Sequence, residues 1–390
     1  MNINIFRGRN QIGGNIIEIS TETTRILLDV GLELDDDNDQ KLPNIQGLFD
    51  DAAFDAVLIS HYHGDHLGLA YYIDHRIPLY IGEASYRIVK AVDDYKGVES
   101  INPRGYLYDQ TPIIIGDIKV TPFLCDHSAY DSYMLLCEAD GESVLYTGDF
   151  RSNGRKSFDA LLRRLPSNVD TLLCEGTTLS RVNHSAITEK DLEEKATALF
   201  RATKGPVFVL QSSMNIDRLV TMYRAAKKSN RIFLEEVYMA DVASAAGDCI
   251  PNPSFRDVYA FITSPSKHEI LSKYTHKAGK PFIVKRPFVM CVRNSMLRYL
   301  KSLSKTMSFE NGVLVYSFWN GYREKETMKN FLSECEQMGL QIVTMHTSGH
   351  ADEVAIKELI ATVNPKVLIP IHTENAQRFR EIAPDKVIKL

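Results

Sequence analysis

Short apolar runs of strand length recur along this chain, and most of them stop at an acid or a histidine. Residues 56–60 run into His61, residues 25–28 into Asp29 and residues 119–124 into Cys125-Asp126-His127. The pattern repeats at 143–146 before Asp149, at 169–174 before Glu175, at 340–345 before His346 and at 366–371 before His372. Strands that all finish on polar groups build a site along one edge of layered sheets. The opening reads as a hairpin, residues 3–6 against 15–19 with Gly13-Gly14 in the turn, and residues 84–95 and 352–363 have helical spacing. Between about 180 and 338 the pattern becomes alternating helices (191–203, 215–228) and strands (206–210, 231–234, 282–284, 313–316). That stretch is expected to be a βα-type insertion, with residues 1–180 and 339–390 forming one domain around 181–338.

Composition narrows the class. A chain of 390 residues with 44% apolar and 24% charged content has room for two domains and is ordinary for a globular protein. No secretory signal and no membrane-length apolar stretch is present, so the expectation is cytoplasmic, with no membrane partner. The six cysteines contain no CxxC pair and are expected to be reduced thiols, with Cys125 and Cys174 near enough to site positions to be weighed as soft ligands. A net charge of −5 argues against strong nonspecific binding of nucleic acid but leaves room for a basic cleft or bound cations. The acidic run 33–39 lacks the glycine and distant glutamate of an EF-hand and reads as a solvated loop.

The chemistry concentrates in His61-Tyr62-His63-Gly64-Asp65-His66. His61 and His63, two apart on extended backbone, face one way, whereas Asp65 and His66 follow a turn and address a second position. Gly64 and Gly68 are expected to permit the tight loop. Imidazole with a few carboxylates suits zinc best, with manganese next. Asp29 is expected to hold this loop by hydrogen bonds rather than to touch metal.

This stretch matches the HxHxDH signature at every specified position, and the chain is similar at these residues to the metallo-β-lactamase superfamily. Glu175 after a strand, Ser348-Gly349-His350, and Pro370-Ile371-His372 resemble the three further motifs of its β-CASP nuclease branch, nearest to ribonuclease J. The resemblance implies an α/β (α+β) fold, an αββα metallo-β-lactamase sandwich with an inserted βα β-CASP domain. It implies that His61, His63 and His127 hold one zinc, that Asp65, His66 and His372 hold another, and that Asp149 bridges them. A hydroxide between the two zinc ions would then attack a phosphodiester of single-stranded RNA in the cleft between the two domains. The catalytic group becomes Asp65, Glu175 and His350, with Glu175 bracing histidines and His350 meeting the scissile phosphate. Histidine at 372 favours RNA over DNA within the branch. Only 18 residues follow His372, so the expectation omits the C-terminal domain of ribonuclease J, on which assembly and processive exonuclease action lean. A homodimer is compatible with the sequence.

Substrate contacts are expected at Ser212, Ser213, Asn215 and Arg218, which lie between a strand and a helix like the segment of ribonuclease J that approaches RNA, and at Ser348, Gly349 and His350. Helix capping by Ser213 or Asn215, and by the loop around His350, is the competing structural reading. His346 is weighed equally as a support for the site and as a core residue. Phe318, Trp319 and Tyr322 are read mainly as packing at a domain seam and secondarily as base-stacking faces. Lys227-Lys228, Lys285-Arg286 and Arg293 fit cleft charges or a solvated face equally. Other functions carried forward are a DNA nuclease of the same branch, a small-molecule metallo-hydrolase and a non-catalytic RNA-binding subunit.

Overall fold

The computed structural model describes residues 1–34, 42–180 and 187–390, so residues 35–39 of the acidic run and His184 lie outside the described residues. The chain divides into two compact units, Met1–Ala186 with Gly349–Leu390, and Ile187–Ser348.

The first unit holds two sheets. One runs β1 (Asn2–Arg7), β2 (Ile16–Ser20), β3 (Arg25–Leu28), β4 (Ala56–Leu58), β5 (Leu79–Gly82) and β6 (Gly105–Leu107) in that order. β1 and β2 form the expected antiparallel hairpin, and pairing is parallel from β3 onward. The second sheet has β7 (Ile113–Ile115), β8 (Ile118–Cys125), β9 (Ser132–Ala139), β10 (Glu142–Tyr146), β11 (Thr171–Glu175), β18 (Val367–Ile371) and β19 (Val387–Ile388), ordered 19-18-11-10-9-8-7. Ile17, Leu28 and Leu58 of the first sheet pack with Leu135, Val144, Leu173 and Ile371 of the second, and this buried layer joins the two. Each such fully buried side chain stabilises by roughly 1.5–3 kcal/mol. The helices Phe158–Leu162 and Glu353–Val363 cover the other face of the second sheet through Phe158, Leu161, Ile356, Leu359 and Val363. Asp352 accepts from the Ala355 N–H to start the longer helix, and left-handed Asn364 (φ +46°) ends it. This is the αββα sandwich.

β10, β11 and β18 are mutually parallel neighbours, and β8 runs with them because β9 is antiparallel to both β8 and β10. Four carboxyl ends therefore emerge on one edge, carrying His127, Asp149, Glu175 and His372.

The second unit is a parallel sheet ordered β14-β13-β15-β12-β16-β17, with β12 at Val207–Leu210, β13 at Ile232–Glu236, β14 at Val258–Phe261, β15 at Phe288–Val292, β16 at Gly312–Tyr316 and β17 at Leu340–Thr344. Two corrections follow. Residues 282–284 are no strand: the short helix Lys280–Ile283 starts there with Pro281 in its first turn, and the strand lies at Phe288–Val292. β17 pairs parallel with β16, so this unit runs on to Ser348 rather than to 338.

Candidate metal centre

β4 ends at Leu58, and the chain turns through His61 and His63 into a single helical turn, Gly64–Leu67, that presents Asp65 and His66. Close approach at this loop is enabled by Gly31 and Gly68. A Cβ on Gly31 would meet the Asp65 carbonyl at 1.8 Å, and one on Gly68 would meet Leu32 Cδ1 at 2.4 Å, whereas Gly64 faces open space.

Three groups of potential ligands assemble within the first unit. His61, His63 and His127 form one, Asp65, His66, Asp149 and His372 a second, and Asp149, Glu175, His350 and His372 a third, with ligand atoms within 4.8 Å of each other in each group. Asp149 Oδ2 lies at the middle, 3.3 Å from His66 Nε2, 3.5 Å from His350 Nδ1 and 3.8 Å from both His61 Nε2 and His127 Nε2. Asp65 Oδ2 is 3.2 Å from His372 Nε2.

The surrounding hydrogen bonds fix which nitrogen of each ring is free. Asp29 accepts from the Ser60 N–H at 2.6 Å, the Ser60 hydroxyl at 2.7 Å and the Tyr146 hydroxyl at 2.5 Å. Because the Ser60 hydroxyl donates to Asp29, its oxygen accepts from His61 Nδ1 at 3.0 Å. His66 Nδ1 donates to Asp29 at 2.7 Å and His127 Nδ1 to the Gly349 carbonyl at 2.5 Å. His372 Nδ1 donates to the Thr177 hydroxyl at 2.7 Å, whose own proton goes to the His372 carbonyl. Four imidazoles thus aim an Nε2 lone pair at the centre, the orientation that metal ligation needs. His127 Nε2 and His63 Nδ1 sit 3.1 Å apart, the separation of two donors on one ion rather than of a satisfied pair. Among the described residues, His61 Nε2 and Asp149 Oδ1 are buried without a hydrogen-bond partner, and such orphans are costly unless something positive or protic fills the space. The donor set fits a divalent metal.

Charge divides the site in two. Burial, followed by repulsion from His66 and other histidines, holds His61 well below the usual imidazole range; burial and neighbouring histidines do the same for His127, and burial lowers His63 to about 4. All three are neutral donors at neutral pH. Around His66 burial works the other way from Asp149, Asp29 and Asp65, and the carboxylates win, raising it well above its ordinary value. Burial also opposes ionisation of Asp149 and Asp65, but His372, His66 and, for Asp149, His350 hold both below the usual carboxylate range. That half of the site therefore favours positive charge.

His350 Nδ1 is 3.3 Å from Glu175 Oε2, and Glu175 is itself held by the Phe150 and Thr177 N–H groups. Burial lowers His350, Glu175 and Asp149 raise it, and the balance is about 9. With 23% of its side chain exposed, it is the more accessible partner of the pair.

The expected substrate residues behave differently. Arg218 is fully buried; its guanidinium is taken by Glu189 at 3.0 Å and by the Ser317 hydroxyl, so it is corrected from a phosphate contact to an internal ion pair. Asn215 caps the helix Ile216–Lys228 by accepting from the Arg218 N–H, and the Ser212 hydroxyl accepts from the Met214 N–H. Ser213 Oγ is buried without a partner among the described residues. Gly349 contributes its carbonyl to His127, and Ser348 closes the second unit. His346 is half-buried in that unit and outside the three ligand groups. Lys228 pairs with Glu193 at 2.7 Å and Arg293 with Glu236 at 2.5 Å. Cys125 and Cys174 are buried, and burial pushes both thiols up, so they stay protonated and outside the ligand groups. Sequence reasoning missed Ser60, Tyr146 and Thr177, whose only signal was proximity to strand ends.

A model of the metallo-beta-lactamase superfamily matches residues 9–173, and one for a Zn-dependent metallo-hydrolase RNA specificity domain matches residues 337–383. The chain is 24% identical to ribonuclease J of Helicobacter pylori over 94% of its own length and 55% of that protein, so it spans about half of that relative. It is 25% identical to a probable RNase of Methanocaldococcus jannaschii, covering 96% of this chain and 93% of that one. A crystal structure of a protein of unknown function from Enterococcus faecalis superposes with a TM-score of 0.82 at 20% identity, covering 100% and 97% of the two chains, which shows a shared fold.

Proposed function

We propose that the chain is a member of the metallo-β-lactamase superfamily in its β-CASP, ribonuclease J-like branch, and that it is a zinc-dependent ribonuclease acting on single-stranded RNA in the cytoplasm. One observation carries the reading: the segment matching an RNA specificity domain, 337–383, is the one that brings His350 and His372 to the ligand cluster. Among the described residues no helix is long and apolar enough to cross a membrane.

His61, His63 and His127 would hold one zinc, and Asp65, His66 and His372 the other, with Asp149 shared; manganese is the second candidate for an all-nitrogen-and-oxygen set. Two such ions supply an activated water at neutral pH and neutralise charge on the phosphate. The protein's own residues do the rest. Asp29 and the Gly349 carbonyl hold His66 and His127 through Nδ1, so each ring turns its Nε2 toward the metal position. Glu175 holds His350 through Nδ1, so the proton that a leaving oxygen takes up is the one on Nε2, and a value near 9 keeps that proton in place at neutral pH. Ser213 and the N-terminus of the helix Ile216–Lys228 supply a further place for RNA phosphate.

The test is cleavage of an internally fluorescent single-stranded RNA beside the matching DNA, with zinc or manganese restored to chelator-stripped protein, and with His63→Ala as control. RNA cut only by the metal-loaded wild type is expected. If neither polymer is cut while two metals are verified bound, the ribonuclease reading fails.

A further inference from the structure

Two strands of the second unit, β12 and β16, lie side by side and parallel, with Leu210 opposite Tyr316 and the Ser317 N–H donating to the Leu210 carbonyl at 2.9 Å. Their carboxyl ends therefore open on the same edge of this all-parallel sheet, where ligands of such sheets bind. After β12 comes the loop Ser212-Ser213-Met214-Asn215 and the amino end of the 13-residue helix Ile216–Lys228. Among the described residues, fully buried Gln211 has no hydrogen-bond partner for its amide oxygen or nitrogen, and Ser213 Oγ has none either.

After β16 the chain enters Ser317-Phe318-Trp319-Asn320-Gly321-Tyr322. Trp319, the one tryptophan of the sequence, is 47% exposed and Tyr322 is 42% exposed. This indole is held in a defined pose. A Cβ at residue 321 would lie 2.1 Å from Cζ3, 2.2 Å from Cη2 and 2.6 Å from Cε3 of the ring, so the benzo face rests on Gly321 in a way that no other residue permits. The Trp319 carbonyl accepts from the Tyr316 hydroxyl at 3.0 Å and the Tyr322 N–H at 3.1 Å. Tyr322 stands edge-on to the indole at 5.7 Å, and Phe318 edge-on to Tyr322 at 6.1 Å. Cations flank the rings: Lys325 Nζ is 5.7 Å from the Tyr322 centroid, and the Arg323 guanidinium lies 4.4 Å over Tyr316.

A single exposed apolar side chain is ordinary, but Trp319 and Tyr322 are exposed side by side, and contiguous apolar patches mark interaction sites. Here the patch is locked before any ligand arrives, edged by lysine and arginine, and one strand away from unsatisfied donors at a helix amino end. That combination of a flat apolar face with nearby positive charge is what an unpaired base and its phosphate require. We propose that Trp319, posed by Gly321 and backed by Tyr322, is a stacking platform for a base of single-stranded RNA. This rests on the ribonuclease reading and adds to it a contact within the second unit.

The single tryptophan makes the test direct. Full-length, metal-loaded protein is titrated with a phosphorothioate-linked adenosine 12-mer that resists hydrolysis, following both tryptophan emission and the anisotropy of a label on the RNA. Stacking predicts quenched and saturable tryptophan emission that tracks the anisotropy. Trp319→Ala should weaken binding about 5- to 160-fold, the range for losing one base–aromatic stack, and Trp319→Phe by less. Gly321→Ala should blunt the quenching, since its Cβ displaces the indole. A 12-mer with abasic riboses should bind wild type more weakly than the adenosine strand yet show little further loss on Trp319→Ala. RNA bound tightly with unchanged tryptophan emission and unchanged affinity of Trp319→Ala would overturn the platform while leaving the ribonuclease reading intact. No RNA bound by any variant would overturn both. An oligomer that dissociates on Trp319→Ala, with RNA affinity unaltered, would give the patch to a second copy of the chain and overturn the proposal.

Discussion

Asp29 offers the sharpest perturbation of the metal centre, because it touches no metal position and yet anchors two of the histidines. It is fully buried, and its two oxygens take four donors: the Ser60 N–H, the Ser60 hydroxyl, the Tyr146 hydroxyl and His66 Nδ1. Asp29→Asn keeps the size and tolerates the positive φ of +59° at this position. It turns one acceptor into a donor, however: at the Oδ2 position the N–H₂ faces His66 Nδ1 and the two hydroxyls, and flipped to the Oδ1 position it faces the Ser60 N–H, so either way a buried N–H loses its acceptor. The two hydroxyls can rotate, and Ser60 can go on accepting from His61. His66 Nδ1 cannot rotate away, and a buried donor left unpaired costs about 1–3 kcal/mol. Loss of such an outer partner typically weakens a metal by 10–100-fold, equivalent to about 1.4–2.7 kcal/mol. The loss should fall on the ion held by Asp65, His66 and His372, since His127 keeps its own anchor at Gly349. Competition with a graded series of chelators, with bound metal counted at each step, should show one ion leaving Asp29→Asn at roughly ten to a hundred times lower chelator strength. The second ion should leave as in the wild type. Both ions lost together, or neither weakened, would refute the reasoning that Asp29 acts through His66.

Two further outcomes are expected. In chelator-stripped protein, His350 is raised from an unfolded value near 6.5 to about 9, so the folded state binds more protons between those values; its stabilising share is complete below pH 6.5 and disappears as pH rises through 9. Melting temperature should fall across that window in the wild type and stay flatter in His350→Gln, and parallel curves would contradict the assignment. Arg218→Met takes the guanidinium from the buried Glu189 carboxylate, which keeps the Thr221 hydroxyl as a donor at 2.6 Å, and should cost about 3–5 kcal/mol in urea unfolding, with Arg218→Met/Glu189→Leu recovering most of it.

The strand ends were legible because each strand of the sandwich is short, apolar and cut off near a polar residue, so His61, His127, Asp149 and His372 stand out as candidates, while their grouping into ligand sets was implied by the family resemblance. Pairing could not be read that way. Residues 340–345 before His346 look like every other strand that precedes a ligand, and only the parallel register with β16 puts that strand in the second unit. Arg218 misled for a similar reason: an arginine in the first turn of a helix reads as solvated, and its partner Glu189 lies 29 residues earlier. The apolar triplet 282–284 resembles a strand until Pro281 is seen to open a helical turn, while the strand itself, Phe288–Val292, is diluted by Met290 and Cys291. Asp29 declared itself as an acid closing an apolar strand, but Tyr146, which shares its carboxylate, closes another strand as an aromatic residue indistinguishable from core.

His372 closes the ligand set from the far side of the second unit, and this orders the protein's birth. The residues that would take a first ion have all been synthesised once Asp149 is made, but the other set waits for His372, about 220 residues and therefore some 10–45 s of translation later. Through that interval Asp65 and His66 have no closing histidine, and a whole parallel-sheet unit has to be made before one arrives. A nascent chain stalled in the second unit would thus hold the first group of ligand residues complete and the second without its closing histidine.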